Sequence, residues 1–171
     1  MIHHFKTLTM FTFPFEKLEV HRLALDFADM IYDLTDKFPR EEKYGIVSQA
    51  RRSGASVAAN LAEGSARISA KEQARYSEIA YGSLAETFSH LLAAQRRNYI
   101  DKEQIDQLRP LVFKLSSKIN ALRKSQMKRY SKKINQDPHF LKEEEVPYNI
   151  VKSLPGTASQ SSTNEVIQQT K

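Results

Sequence analysis

Apolar side chains recur along the chain at spacings of three and four residues, the period of a helix with one buried face. In the first such segment, from about Glu16 to Phe38, the apolar face is formed by Val20, Leu23, Phe27, Met30, Leu34 and Phe38. Pro39 follows and disfavours a helical conformation in the residue before it. The pattern therefore predicts a first helix over residues 16–38.

The second predicted helix is distinguished by its small side chains. It begins directly after Pro39, runs through Tyr44 to about Glu63, and has Gly64 as its C-terminal cap. Residues 53–62 read Ser-Gly-Ala-Ser-Val-Ala-Ala-Asn-Leu-Ala, with almost no large side chain among them. Because small side chains let backbones approach closely, we expect this helix at the most crowded contact of the molecule.

Two longer helices complete the pattern. The third is predicted from about Ala70 to Arg97, capped by Ser69 or Ser65, with an inward stripe of Tyr76, Ala80, Ser83, Thr87, Leu91 and Ala94. Asp101 and Gln104 have the spacing of a capping box and open the fourth helix. The fourth helix carries a bundle seam of Ile105, Leu108, Val112, Leu115, Ile119 and Leu122. Pro110 is expected to kink it.

The periodicity ends near Lys133. Residues 134–171 are rich in Pro, Ser, Thr and Gln, and bury too little apolar surface to offset the entropy of ordering. We therefore predict an all-α protein, an antiparallel up-and-down four-helix bundle, with a disordered C-terminal tail. Its domains are an N-terminal arm over residues 1–14, the bundle over 15–133 and the tail over 134–171.

Composition narrows the possible functions. The 171 residues include no Cys, which excludes disulfides, thiolate zinc sites and cysteine nucleophiles. No segment approaches the roughly 20 apolar residues of a membrane helix, and the start lacks a signal-peptide pattern. These features lead us to expect a cytoplasmic protein with no membrane partner.

The net charge of +6 is unevenly distributed. Residues 1–133 hold 23 Lys and Arg against 15 Asp and Glu, whereas residues 134–171 hold 3 against 5. A basic body favours a polyanionic partner. A surface that serves only solubility is the alternative interpretation.

The second helix also carries a polar stripe, since Gln49, Arg52, Ser56, Asn60 and Glu63 are three or four residues apart. Burying polar groups is costly unless they pair, so we expect them to contact each other or polar groups of the third helix. Our hypothesis is a network that specifies fold or assembly, with no catalytic role. Its members are Gln49, Ser56, Asn60, Glu63, Ser83 and Glu86.

Several short motifs occur in a fixed order between residues 15 and 125. They are Phe15-Glu-Lys-Leu-Glu-Val20, Phe38-Pro39 with Glu41 and Tyr44-Gly45, Ser48-Gln49-x-Arg51-Arg52, Ser56-Val57-x-x-Asn60-x-Ala62-Glu63-Gly64, Ala80-x-Gly82-Ser83-Leu84-x-Glu86 and Asn98-Tyr99-Ile100. Together they resemble the 23S rRNA intervening-sequence proteins, also called four helix bundle proteins. The family often has proline where this chain has Ala58, so a straighter second helix is expected.

The resemblance implies a four-helix bundle that assembles into a homopentamer and has suspected contact with nucleic acid. It also implies similarity to the accessory proteins of diversity-generating retroelements. It implies no established activity, because a fold does not fix a function.

Enzymatic chemistry finds little support in the sequence. A di-iron bundle needs two Glu-x-x-His motifs and two further glutamates, whereas here Glu86 and His90 are four apart and no second pair exists. The five glycines are scattered, which argues against a phosphate loop. We expect no catalytic residue, metal or cofactor, and we expect His21 and His90 at the surface or rim.

Nucleic-acid binding is the preferred function. Its candidate residues are cations that fall into three groups. The candidates are Arg51 and Arg52 on the second helix, Arg67, Lys71 and Arg75 at the start of the third, and Arg123, Lys124, Lys128 and Arg129 at the end of the fourth. Repeated around a pentamer, they would contact phosphates without base specificity. For the last group, capping of the helix dipole and solubility are the simpler explanation. The competing function is a protein-interaction scaffold.

Overall fold

The structure is a computed structural model that describes residues 11–136. A short 3-10 helix, Pro14–Lys17, precedes α1, Glu19–Thr35. A second 3-10 helix, Arg40–Tyr44, leads into α2, Ile46–Ser65. Two long helices follow, α3 over Ala70–Arg96 and α4 over Lys102–Gln136. No strand occurs in this part of the chain, so the all-α prediction is confirmed.

Consecutive helices run antiparallel, and α4 returns to α1. The contacts that fix this order are Ile31–Gly54 between α1 and α2, Ser53–Thr87 between α2 and α3, Ser77–Gln126 between α3 and α4, and Glu19–Lys118 between α1 and α4. This is the up-and-down bundle that the periodicity predicted.

The core is made by the predicted stripes. Val20, Phe27 and Phe38 are buried on the first stripe, and the predicted seam of α4 buries Ile105, Leu108, Leu115 and Ile119. Leu23, Met30, Leu34, Val112 and Leu122 are partly buried against this core. Because burying a large aliphatic or aromatic side chain contributes about 1.5–3 kcal/mol, these stripes hold the four helices together.

The connection between α1 and α2 differs from the prediction. α1 ends at Thr35, three residues early, and α2 begins at Ile46 and not at Pro39. Between them, Pro39 is the N-cap of the 3-10 helix Arg40–Tyr44. Glu42 stabilises this turn, since its carboxylate accepts hydrogen bonds from the backbone N–H of Ile46 and the hydroxyl of Tyr99.

Gly64 does not cap α2, which corrects the prediction. It lies within the last turn of the helix, is buried, and has no positive φ. A Cβ atom at this position would lie 2.8 Å from Cβ of Tyr76. Glycine is therefore needed because α3 approaches the backbone of α2 closely, not because the helix ends here.

The link between α3 and α4 follows the prediction. Asn98 has a φ of 60°, which ends α3, and the capping box of α4 is present. The backbone N–H of Gln104 donates to Asp101 Oδ1 at 2.8 Å, and that of Asp101 donates to Gln104 Oε1 at 3.0 Å. α4 is continuous through Pro110 to Gln136. The predicted tail beyond that point and the first ten residues of the predicted arm lie outside the described residues.

Candidate nucleic-acid interface

Residues 63–78 and 123–133 meet at one end of the bundle, which we call the cationic end. They comprise the last turn of α2, the start of α3 and the distal turns of α4. Their Lys and Arg residues are Arg67, Lys71, Arg75, Arg123, Lys124, Lys128, Arg129, Lys132 and Lys133. Only three carboxylates, those of Glu63, Glu72 and Glu78, lie in the same segments. Two predicted groups of cations therefore form a single cluster.

Polar contacts between α3 and α4 align the two halves of the cationic end. The buried hydroxyl of Ser77 donates to Gln126 Oε1 at 2.8 Å. Next to this pair, the guanidinium of Arg129 donates to Gln73 Oε1 at 2.6 Å. Because both hydrogen bonds join the same turns, they fix the register in which α4 presents its cations beside α3.

Tyr76 is the centre of the α3 half. The guanidinium carbons of Arg67 and Arg75 each lie 4.7 Å from the centroid of its ring, within the range of cation–π attraction. Its hydroxyl donates to Glu63 Oε1 at 2.6 Å, and Arg67 pairs with the same carboxylate. The Tyr76 hydroxyl and the Arg67 guanidinium lower the pKa of Glu63, so it stays ionised.

Lys124, Lys128 and Lys132 form an exposed row on α4, one turn apart. Gln126 faces α3, and at 100° per residue this row lies on the opposite, solvent side of α4. None of the three forms an ion pair within residues 11–136. The row is therefore the part of the cationic end that can take up an anion without first breaking an internal pair.

The remaining cations of this end have internal partners. Arg75 pairs with Glu72 at 3.0 Å and Arg123 with Glu78 at 3.3 Å. The ammonium of Lys71 lies 5.8 Å from the ring centroid of Tyr130. Exposed ion pairs of this kind contribute about 0–1 kcal/mol, so exchanging a glutamate for a phosphate costs little.

Arg51 and Arg52 are not part of the cationic end. Arg51 lies at the opposite end of the bundle, where it donates to Thr35 Oγ1 at 2.8 Å and to Asp36 Oδ1 at 2.5 Å. Arg52 is exposed and lies 3.8 Å from a carboxylate oxygen of Glu86. Of the two adjacent arginines, only Arg52 faces along the polar stripe of α2.

The six residues of the hypothesised polar network form separate contacts in the single chain, and these do not join into one cluster. Gln49 accepts a hydrogen bond from Arg52, whose other partner is Glu86. Asn60 donates to the backbone carbonyl of Ser56, and Glu63 belongs to the Tyr76 group. Ser83 contributes only its carbonyl, which accepts from Thr87. In the single chain most of this stripe is at the surface.

The buried polar pairs are different residues, which the sequence did not single out as a network. Thr87 Oγ1 lies 2.9 Å from Ser53 Oγ between α2 and α3, and Ser77 pairs with Gln126 between α3 and α4. All four side chains are almost completely buried. Only their spacing marks them in the sequence, because each lies in phase with the apolar stripe of its helix.

An apolar groove of about 300 Å³ runs between α3 and α4 on another face of the bundle. Its lining residues are Tyr81, Leu84, Ala85, Phe88, Ser89, Leu92, Val112 and Ser116. Tyr81 and Leu92 are exposed, and a Cβ atom added to the neighbouring Gly82 would meet no other atom within 4 Å. Apolar side chains in an open groove are typical of surfaces that contact another protein.

The two histidines have different surroundings. His21 is buried against the ring of Phe15, and this burial lowers its pKa, so its expected place at the surface is wrong. His90 is partly buried, with Nε2 3.7 Å from Glu86 Oε1. Within residues 11–136 no three His, Asp or Glu side chains are grouped to hold a metal ion.

None of the helices between residues 11 and 136 is both long enough and apolar enough to cross a membrane. No curated protein matches the chain significantly. Among solved structures, the fold is similar to a protein of unknown function from Bacteroides thetaiotaomicron VPI-5482, which belongs to the S23 ribosomal protein family. The TM-score is 0.57 at 26% identity, over 61% of this chain and 95% of the other.

The family model of the 23S rRNA-intervening sequence proteins matches residues 16–121. The match takes in all of α1, α2 and α3 and more than half of α4, and it ends just before the cationic turns of α4. The resemblance carried by the short motifs is thereby confirmed. The chain belongs to the family of 23S rRNA-intervening sequence proteins.

Proposed function

We propose that this protein is a non-enzymatic, cytoplasmic RNA- or DNA-binding protein that contacts phosphate backbones through its cationic end. We further propose that it acts as a homo-oligomer, with five chains as the number that the family resemblance implies. The observation that carries the proposal is the meeting of nine Lys and Arg with only three Glu in residues 63–78 and 123–133.

The arrangement of charge supports phosphate binding. The row Lys124, Lys128 and Lys132 repeats every turn of α4, and each of these ammonium groups can replace a counterion on a nucleic-acid strand. Binding of this kind gains free energy mainly from released counterions, so it weakens steeply as salt rises. The name of the family, which refers to 23S rRNA, makes rRNA the first ligand to test.

The cationic end offers little for reading bases. Both of its tyrosines, Tyr76 and Tyr130, already have cationic groups over their rings. A base would have to displace these groups before it could stack. The proposed contact is therefore with the backbone, independent of nucleotide sequence.

The apolar groove supports the second part of the proposal. Covering its exposed side chains gains hydrophobic free energy, and a second copy of the chain is one partner that can do so. The same groove favours the competing function, a scaffold that docks a different protein. The two functions differ in their response to salt, since apolar docking is much less salt-sensitive than phosphate binding.

Light scattering on the nuclease-treated protein tests both parts of the proposal. We expect a mass of about five chains, and an increase on addition of rRNA fragments at low salt that disappears at high salt. An oligomer that ignores RNA at every salt concentration would instead favour the scaffold. A stable monomer would refute the proposed assembly.

A further inference from the structure

A second cluster of cations surrounds an open pocket at the opposite end of the bundle, where α1 connects to α2. The pocket has a volume of about 420 Å³. Its apolar lining is provided by Phe38, Pro39 and Val47, and its charged groups are Asp36, Arg40, Lys43 and Arg51. An apolar wall with a few convergent polar groups is the usual composition of a small-molecule site.

The charges of this pocket do not balance. Asp36 is its one lining carboxylate, and it pairs with Arg51. Arg40 and Lys43 form no ion pair with any residue in the described part of the chain. Among the lining residues, three cations and one carboxylate leave a net charge of +2.

Arg51 is held in a fixed orientation. Its Nε donates to Thr35 Oγ1 at 2.8 Å, its Nη2 donates to Asp36, and its guanidinium carbon lies 4.7 Å from the ring centroid of Tyr32. The side chain is only 27% exposed. Nη1 donates no hydrogen bond within residues 11–136. An oriented guanidinium loses little conformational entropy when it binds an oxyanion.

We propose that this pocket binds a phosphate monoester. The phosphate lies between Arg40, Lys43 and Arg51, and the organic group that it carries packs on Phe38, Pro39 and Val47. A monoester has a charge of about −1.5 to −2 at pH 7, which matches the charge of the pocket. A backbone diester has a single negative charge and lacks the third terminal oxygen, so it uses fewer of the three cations.

The proposal does not depend on the function proposed for the cationic end, which contacts internal diesters at the other end of the molecule. Phosphate monoesters of the required size occur as free mononucleotides and as the 5′ ends of nucleic-acid strands. Both present the same terminal dianion to the pocket, and the experiment below separates them.

Calorimetric titration of the full chain with adenosine 5′-monophosphate tests the pocket. We expect saturable binding with a Kd below about 1 mM, and binding of the cyclic 3′,5′ diester that is at least about tenfold weaker. The pair is informative because both ligands carry the same base and ribose, and they differ in the charge and geometry of the phosphate. No saturable binding of the monophosphate, or equal binding of the two ligands, would overturn the proposal.

Two variants locate the site. Arg40→Ala with Lys43→Ala removes two charge-assisted contacts at exposed positions, and we expect affinity for the monophosphate to fall by at least about tenfold. Asp36→Asn removes the one carboxylate of the lining and with it one negative charge, so affinity should rise several-fold. As a control, Lys102→Ala with Lys114→Ala removes the same charge from exposed positions of α4 outside the pocket. An equal loss in this control would attribute binding to net charge and refute the site.

The source of the monoester follows from a comparison of two short oligonucleotides, one with a 5′-phosphate and one with a 5′-hydroxyl. A preference for the phosphorylated strand that is lost in the Arg40→Ala, Lys43→Ala variant identifies the ligand as a strand end. Binding of the free mononucleotide without such a preference identifies a small metabolite. In both cases the double variant keeps its salt-dependent affinity for long RNA, which distinguishes failure of this pocket from failure of the cationic end.

Discussion

Thr87 Oγ1 lies 2.9 Å from Ser53 Oγ, and this contact joins α2 to α3 in the middle of the bundle. Ser53 is also within hydrogen-bond distance of the carbonyl of Gln49, and Thr87 of the carbonyl of Ser83. The two residues are 3% and 0% exposed, so water cannot replace either partner. They connect the buried faces of the two helices, and they thereby favour one register.

Thr87→Val keeps the shape of the side chain and removes its hydroxyl. Because Ser53 still has the carbonyl of Gln49 as a partner, we expect a loss of about 1 kcal/mol in the free energy of unfolding. Ser53→Ala should cost a similar amount. The double variant should lose less than the sum of the two, since the pair interaction is removed only once. Urea unfolding of the four proteins measures this coupling, and strictly additive losses would mean that the hydroxyls do not interact.

Replacing Gly64 and Gly82 by alanine should have opposite effects on stability. Gly64→Ala places a methyl group 2.8 Å from Cβ of Tyr76, which cannot move aside alone, so we expect a loss of about 1–2 kcal/mol in stability. Gly82 faces open space, and there the higher helix propensity of alanine should stabilise the chain by about 0.5–1 kcal/mol. Thermal unfolding of both variants checks the contrast. A loss of stability in Gly82→Ala would contradict this expectation.

Removing the lysine row tests the cationic end directly. In the variant Lys124→Ala, Lys128→Ala, Lys132→Ala we expect weaker RNA binding and a plot of log affinity against log salt that is less steep by about 2–3. The matched control is Arg96→Ala, Arg97→Ala, Lys102→Ala, three exposed cations at the opposite end. Filter binding over a range of salt concentrations gives both slopes. Equal losses in the two variants would show that net charge, and not the cationic end, determines affinity.

Arg51 should stabilise the fold, in addition to its proposed role in the pocket between α1 and α2. Arg51→Ala removes its contacts with Thr35, Asp36 and the ring of Tyr32, and we expect a loss of about 1–2 kcal/mol in the free energy of unfolding. Arg52→Ala, at an exposed neighbour, should change stability by less than about 0.5 kcal/mol. Chemical denaturation distinguishes them. Equal stability of the Arg51→Ala and Arg52→Ala proteins would contradict this expectation.

Helices and core residues were predictable because periodicity is local information. The stripe from Val20 to Phe38 and the seam from Ile105 to Leu122 needed no knowledge of their partners. The structure changed the role of Gly64, because only the approach of Tyr76 from another helix reveals that there is no room for a Cβ.

The sequence was sufficient to predict which residues belong to the candidate site, but not how they are arranged in space. The cations of α3 and α4 are recognisable as two separate groups in the sequence, but their meeting depends on the register of the two helices, which Ser77 and Gln126 fix. Polar positions were misjudged for a related reason. Ser53 lies in phase with the apolar stripe of α2, but only its contact with Thr87 of α3 shows that it belongs to a buried polar pair.

The difference in length between α4 and α1 affects how the sequence of such a protein can change during evolution. α4 has 35 residues and α1 has 17, so α4 is about twice as long, roughly 52 Å against 26 Å. Its proximal half supplies four fully enclosed apolar side chains, whereas its distal half supplies the exposed cations. The side chains that hold the bundle together and the cations proposed to contact phosphate therefore lie largely in separate stretches of one continuous helix. Substitutions at the exposed distal cations can change the proposed ligand while the buried residues of the proximal half preserve the bundle.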